Sequence, residues 1–355
     1  MTTQAVPDAT RSSEIATPTG PRIPSWERRL GWIYLVALAA ILVILVWVPM
    51  TAGAYTVTLT LTTLMMVAMA SSWNMLSGFG GYASFGHAAF FGTGAYVSAL
   101  LLHYEKTGWV TAVLLGGLAS GALAVVVGLP SLRLRGPYFA ISMLALTELL
   151  RVIVLTWDEV TEGGRGVFLP IIRLQRTQDD AGHWAEFTAT LHNNQNYYAM
   201  LLLALAAVVL SYIIGTSRWG LRLLAIRDDE VAAQAMGIRT TRLKVLTFGV
   251  SAIFPGLAGA IYARHVGYID PPTVFAVIWS IRSIATTILG GQGTILGPII
   301  GAVLLTLVSE RVWETDPNLY QVIFGGLIVL VVLFMPGGIV ALLQQRGLLP
   351  RSRRL

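Results

Sequence analysis

The chain presents a succession of apolar runs, each close to twenty residues long, separated by shorter polar stretches. A helix of about 20 residues crosses the ~30 Å hydrocarbon layer of a bilayer, and no water-soluble core takes up so many such runs. They extend from Leu30 to Met50, Tyr55 to Leu76, Ser84 to Leu102, Trp109 to Pro130, Tyr138 to Trp157, Tyr197 to Ile214, Val245 to Arg264, Val274 to Leu289, Ile295 to Ser309 and Tyr320 to Leu343. The eighth and ninth are short enough to be half-helices. The expected fold is an all-α integral membrane protein of about ten transmembrane helices over residues 30–343. Composition agrees, since 55% of the residues are hydrophobic and only 12% are charged. The chain has no cysteine, which excludes disulfides, thiolate metal sites and cysteine nucleophiles.

Residues 1–29, rich in Thr, Ser and Pro and lacking an apolar stretch, read as a disordered cytoplasmic tail. The run from Leu30 is followed by no small-residue cleavage pattern and reads as a span, not a secretory signal. Orientation comes from the 24 Lys and Arg residues. With the N-terminus inside, Arg11, Arg22, Arg28, Arg29, Arg133, Arg135, Arg218, Arg222, Arg227, Arg239, Arg242, Lys244, Arg346, Arg351, Arg353 and Arg354 fall on the inner side. Only Lys106, Arg165, Arg173, Arg176, Arg264 and Arg311 fall outside, and Arg151 and Arg282 lie within spans. An even number of spans brings both termini, including the basic tail 344–355, to the cytoplasmic side, as the positive-inside bias requires. The net charge of +6 reflects that bias. No basic patch is interleaved with aromatics in the way a nucleic-acid surface needs. Segment 158–196, with His183 and His192, is placed outside, and segment 215–244 inside.

The inner segment contains RDDEVAAQAMGIRTTRLK, from Arg227 to Lys244. Asp228 is the expected N-cap of a short helix, with Asp229 and Glu230 placing negative charge in its first turn. Val231, Ala232, Ala235 and Met236 recur at helical spacing as one small apolar face, and Gly237 terminates the turn. A helix this short does not hold alone in water, so something packs on it. It either lies on the membrane or on the protein's own inner face, or it docks another protein. The shallow, alanine-rich face favours docking.

The spacing of Ala232, Ala233 and Gly237 resembles the coupling loop in the membrane subunits of bacterial ABC importers. GLRLLAIRDDEVAAQAMGI, GGYASFGHAAFFGTGAY (Gly80 to Tyr96), LRLRGPYFAI (Leu132 to Ile141) and LGGQGTILGPIIGA (Leu289 to Ala302) together resemble, more narrowly, the LivM-type permeases of the branched-chain amino acid ABC transporter family. The resemblance covers most of the chain from Met75 to Gly337. One departure is that the general importer signature has Glu directly before the Ala pair, whereas here Val231 stands there and Glu230 one position earlier. The resemblance implies the larger importer architecture of vitamin and ribose permeases, in the bacterial cytoplasmic (inner) membrane. It further implies a second homologous permease, two cytoplasmic ABC ATPases, an extracytoplasmic substrate-binding protein, and a coupling loop made of Asp229, Glu230, Ala232, Ala233, Met236 and Gly237. The chain has no G-x-x-x-x-G-K-[ST] phosphate loop: GGQGTILGP lacks the Lys and lies between apolar runs. ATP is therefore expected to be used by partner subunits, with no cofactor or metal on this chain and no enzymatic activity of its own.

Candidates for the translocation path are Gly80, Gly86, His87, Gly92, Glu148, Arg151 and Arg282. Gly86, Ala89 and Gly92 share one face of the third span, either as packing glycines or as pore lining, and Gly78, Gly80 and Gly81 point to a broken entrance just before it. His87 reads as a hydrogen-bonded structural residue, with no carboxylate or second His nearby in sequence to pass a proton to. Glu148 and Arg151, at i and i+3, share one face of the fifth span. An unpaired charge at the bilayer centre costs at least ~3 kcal/mol, so both are expected to face protein or a wet cavity. They are either a structural pair or a polar patch for a zwitterion, and Arg282 poses the same choice. Pro255 removes a helix hydrogen bond and is a candidate gate hinge or a static kink. TEGGRG (Thr161 to Gly166) resembles the family's outer Thr-Gly-Gly turn, with Glu162 and Arg165 as departures.

The expected function is the permease subunit of an ATP-driven importer for branched-chain or other hydrophobic amino acids, with its path formed jointly with the second permease. Import of urea or short amides is the alternative within the family. An ion-coupled secondary transporter would need intramembrane carboxylates, of which Glu148 alone qualifies. A membrane enzyme is disfavoured because neither H-E-x-x-H nor G-x-S-x-G occurs.

Overall fold

The computed structural model describes residues 39–105, 107–134, 136–169, 181–315, 325–326 and 337–346, with backbone alone at 181–193 and 311–315. The expected tail 1–29, the start of the first span (30–38), most of the tenth, and the basic tail after 346 lie outside the described residues. The chain divides into two units, residues 1–48 and 49–355. Helix α1 (Ala39–Thr51) begins in the first. The second contains α2 (Ala54–Trp73), α3 (His87–His103), α4 (Trp109–Ser131), α5 (Pro137–Thr156), the single turn α6 (Asp158–Thr161), α7 (Ala181–Thr216), α8 (Arg218–Asp228) and α9 (Glu230–Ala235). It continues through α10 (Thr240–Val266), the single turn α11 (Pro271–Val274), α12 (Ile278–Gly290), α13 (Leu296–Thr315) and α14 (Gly338–Gln345). Among the described residues six helical segments are long and apolar enough to cross a membrane: Ala54–Gly78, Trp109–Ser131, Pro137–Thr156, Asn194–Thr216, Thr240–Val266 and Pro271–Gly290. The molecule is a helical integral membrane protein.

Several boundaries differ from those expected, each for a local reason. The third helix starts at His87 and not at Ser84, because residues 81–85 are non-helical and Gly81 has φ +78°. The sixth starts far earlier than Tyr197: α7 is 36 residues long, about 54 Å at 1.5 Å per residue, so the second half of segment 158–196 is helix continuous with the span. Of the two expected short spans, the eighth is extended by α11 into the 20-residue apolar segment Pro271–Gly290, while in α13 the apolar stretch Leu296–Glu310 is short, as expected. The tenth run was expected to continue through Leu343. Residues 338–345 instead form the separate helix α14, because Gly338 has φ +70° and its backbone lies against Gly291.

The core is built on α10, 72% of whose apolar window is buried, against 22% for α5. Helices α3 and α4 reach α10 backbone to backbone. A Cβ on Gly94 would lie 2.0 Å from the Gly256 carbonyl oxygen, and one on Gly259 would lie 2.0 Å from that of Phe91. Such approach is open only to glycine. The Ser120 hydroxyl donates to the Phe90 carbonyl at 2.9 Å across the same seam. Phe90, Phe139 and Phe248 meet edge to face beneath it, and Phe139 in turn holds the ring of Tyr82 at 5.6 Å. That aromatic stack fixes where Tyr82 sits, which matters below.

At one end of the bundle β1 (Val167–Phe168) pairs antiparallel with β2 (Tyr268–Ile269), Val167 opposite Ile269. The TEGGRG turn is folded into this end: the Tyr104 hydroxyl donates to Glu162 at 3.3 Å and the Tyr268 hydroxyl to the Arg165 carbonyl at 3.1 Å. Helices α8 and α9 lie at the α4–α5 turn instead, where Lys244 donates to the Leu132 carbonyl at 3.1 Å.

The α3–α10 contact is open to test. Gly94→Ala drives a methyl into a backbone carbonyl and is expected to cost about 2–3 kcal/mol, read as a lower thermal midpoint in detergent. Gly53→Ala, with nothing within 4 Å of the added Cβ, is expected to leave the midpoint unchanged.

Candidate functional site

The segment after α7 is a chain of capped turns. Ser217 caps α8, its hydroxyl accepting from the Trp219 amide at 3.1 Å, and α8 buries Gly220, Leu223 and Ile226. The chain then extends at Asp229 (φ −155°), whose carboxylate accepts from the amides of Val231 at 2.8 Å and Ala232 at 3.1 Å. The N-cap is therefore Asp229 and not Asp228, which is the last residue of α8. Gly237, at φ +82°, ends α9: its amide donates to the Gln234 carbonyl at 2.9 Å, and that of Ile238 to Ala233 at 3.1 Å.

A single residue of α9 is turned inward. Ala233 alone is buried, 4% exposed, and anchors the helix to its own chain. Val231 is 59% and Met236 84% exposed, and Ala232 and Ala235 are also exposed. The expected apolar face of Val231, Ala232, Ala235 and Met236 thus points away from the protein.

Two polar ties hold this segment to the bundle. Lys244, counted from sequence as an inner-loop charge, is in fact 4% exposed. Its ammonium donates to Glu230 at 2.6 Å, to the Tyr82 hydroxyl at 2.9 Å and to the Leu132 carbonyl, and lies 4.6 Å from the centre of the Tyr82 ring. The Tyr82 hydroxyl donates to the second oxygen of Glu230 at 2.6 Å, closing a triangle. Burial alone would raise the pKa of Glu230. Hydrogen bonds from Lys244 and Tyr82, the Lys244 charge and a contact with Thr240 outweigh it and hold the carboxyl below its ordinary value of 4.5. The second tie is Arg227, which donates to the Gly78 carbonyl at 2.7 Å, while Gly81 sits against its side chain. A pocket of about 290 Å³ opens beside these groups, lined among others by Gly80, Tyr82, Arg227, Asp229 and Glu230.

Both ties end on the broken backbone between α2 and α3. There α2 loosens into a π-helical turn at Asn74–Gly78 before the chain extends. Trp73 donates to the Ser84 carbonyl at 2.8 Å, the Ser77 hydroxyl to that of Tyr82 at 2.7 Å, and Gln292 to that of Ser77 at 3.0 Å. Asn74 bridges the Gly293 amide at 2.8 Å and the Thr294 carbonyl at 2.7 Å. The Ser280 hydroxyl of α12 donates to the Phe85 carbonyl at 2.6 Å and accepts from the Ala88 amide at 2.8 Å.

The other candidate residues are dispersed. Gly80 lies at the α8 end, beside Leu223. Gly86 and Gly92 are buried, a Cβ on the first meeting Met143 and on the second the ring of Phe275. His87 is fully buried, and neither ring nitrogen has a hydrogen-bond partner among the described residues, contrary to the hydrogen-bonded role expected. The flanking Ser280 hydroxyl is already committed to the backbone on either side of it. Glu148 and Arg151 form a two-point ion pair within α5, one bond being 2.9 Å. They face out of this chain, with side chains 55% and 30% exposed. Arg282 is partly buried in α12, its guanidinium 5.6 Å from the Trp279 ring centre. Pro255 is buried inside the uninterrupted α10, next to Gly256 at the α3 seam. The sequence reading missed Tyr82 and Lys244 as site residues. The available signal was that Lys244 is one of two lysines in a chain that otherwise uses arginine.

Residues 55–332 match the family described as "Branched-chain amino acid transport system / permease component". The chain is 32% identical over 331 residues to the high-affinity branched-chain amino acid transport system permease protein LivM of Salmonella typhimurium, covering 89% of this chain and 75% of the relative. It is 31% identical to that of Escherichia coli over the same shares of each chain. The permease protein LivH of Escherichia coli is 28% identical over 286 residues, 76% of this chain and 89% of the relative. No solved structure matches.

The Glu230 environment carries a pH signature. Its folded pKa is depressed, so the stability it contributes is complete above the ordinary value of 4.5 and is lost as pH falls through the lower folded value. The thermal midpoint of the wild type is expected to exceed that of Glu230→Gln by a constant margin near neutrality. That margin should shrink on acidification below 4.5.

Proposed function

The chain belongs to the branched-chain amino acid transport system permease family, and from that premise we propose that it is a membrane permease subunit of an ATP-driven importer for branched-chain or other hydrophobic amino acids. The observation that carries its coupling role is the set of apolar residues Val231, Ala232, Ala235 and Met236, exposed on a six-residue helix that is braced to the bundle from behind. Displayed on so short a helix outside the apolar spans, that face fits a groove on a second protein. The chain carries no phosphate loop of its own, so the docked protein is an ABC ATPase, one for each of two permeases, and it is there that ATP is bound and hydrolysed.

Ten spans, both termini in the cytoplasm and the larger importer architecture complete the reading, in the bacterial inner membrane. Arg133, Arg218, Arg222, Arg227, Arg239 and Arg242 cluster at the α8–α9 end, against Arg165 and Arg264 at the other, which favours the α8–α9 end as cytoplasmic. The opposite end, with the β1–β2 pair and the TEGGRG turn, receives an extracytoplasmic substrate-binding protein. Likeness to both LivM and LivH proteins supports a pair of homologous permeases. The path runs between them along α5, the least buried of the six apolar helices, where Glu148 and Arg151 offer both signs of charge to a zwitterion.

Docking is tested at Ala232, since Ala233 faces its own chain. Tagged protein purified in mild detergent from its native host is expected to bring down an ATPase and a second permease, identified by mass spectrometry. Ala232→Arg should lower the ATPase yield by about tenfold or more while retaining the second permease. An ATPase retained at the wild-type level would refute the docking reading.

A further inference from the structure

The triangle of Glu230, Lys244 and Tyr82 joins three separate elements: α9, the start of α10, and the non-helical segment 81–85. We propose that it is a coupling strut, which makes α9 and the broken backbone ahead of α3 move as one body, so that a push on α9 by the docked ATPase reaches the head of α3. The inference rests on the docking reading of α9.

A buried ion pair is weak evidence for stability, because desolvation offsets most of its attraction and apolar replacements often stabilise as well. What such a pair does supply is fixed register. Here Lys244 spends its contacts on three different segments, the α4–α5 turn through Leu132 included, and the Tyr82 hydroxyl both accepts from Lys244 and donates to Glu230. Displacing α9 therefore displaces Tyr82 and Lys244 or breaks the hydrogen bonds that Glu230 accepts from them.

The strut meets the receiving segment where it has left the helix. Residues 81–85 make no helix, and Gly81 takes φ +78°. Beyond it the Ser280 hydroxyl clips Phe85 and Ala88 to α12. Arg227 provides a second, parallel tie from the end of α8 to Gly78. A displacement of α8 and α9 thus enters on both sides of Gly81 and leaves through the heads of α3 and α12, the helix that carries Arg282.

The chain lacks cysteine, so Ala83→Cys, at an exposed position within the receiving segment, gives a single reporter. Its rate of maleimide labelling is measured in the purified complex, nucleotide-free and trapped with ATP and vanadate. In the otherwise wild-type chain the rate is expected to differ about fivefold or more between the two states. In Lys244→Met with Tyr82→Phe, which leaves the exposed residues of α9 untouched, the ATPase should still co-purify and the difference should vanish. Tyr82→Phe alone, lacking only the hydroxyl, should reduce it. Equal rates in the otherwise wild-type chain, or an undiminished difference in both variants, would overturn the strut. An ATPase already absent from the wild-type preparation would overturn the docking reading, and the strut with it.

Discussion

Backbone that leaves the helix inside a membrane protein must find its hydrogen bonds within the protein, because lipid offers none. Much of the functional architecture of this chain follows from how it meets that demand between α2 and α3. The carbonyls of Ser77, Gly78, Tyr82, Ser84 and Phe85 are each taken up by a side chain, from Gln292, Arg227, Ser77, Trp73 and Ser280 respectively. Three of those donors come from elements far along the sequence. The break is therefore a junction at which α8, the 291–294 turn and α12 are each held by the same short run of backbone. A break satisfied by water would have left those elements independent of one another.

The junction also explains how the short helix α9 is held. A six-residue helix gains little from its own hydrogen bonds. This one is capped at both ends, by Asp229 and Gly237, and anchored through Ala233 and Glu230. Its remaining residues are left to face outward. The importer signature has its glutamate next to the alanine pair, whereas here the carboxylate one position earlier is drawn back inside to Lys244. In the docking we propose, recognition on this helix falls to apolar shape and not to that charge.

The apolar runs, the break at Gly78 to Gly81 and the terminating Gly237 were legible in the sequence, because each follows from local rules of period and backbone freedom. What was not legible depended on which way a face turns. Spacing puts Glu148 and Arg151 on one face of α5, but only packing decides that the face lies outward. Spacing likewise groups Val231, Ala232, Ala235 and Met236, yet does not say that Ala233 is the residue that packs. Two adjacent aspartates compete for one cap, and the extended φ at Asp229 settles it. Nothing local in the sequence marks the contact of Gly94 with Gly256, which the fold makes across 162 positions of chain. Lys244 looked like one more positive-inside charge because it borders an apolar run, and its burial comes from Tyr82, equally distant in sequence.

Two ion pairs, Lys244–Glu230 beside α9 and Glu148–Arg151 in α5, pose opposite solvation problems. Lys244 and Glu230 are enclosed and supplied with further partners, so their charges are complete within one chain. Glu148 and Arg151 neutralise each other but keep an exposed flank in the middle of a span only 22% buried. Hydrocarbon against that flank would leave the unused hydrogen-bonding capacity of a carboxylate and a guanidinium unsatisfied. The surface of α5 is thus one that lipid covers badly and that another polypeptide or water covers well. In the importer we propose, a bundle whose interior is closed by glycine seams and whose least buried helix carries paired charges serves as half of a larger assembly, with the polar path on its outside.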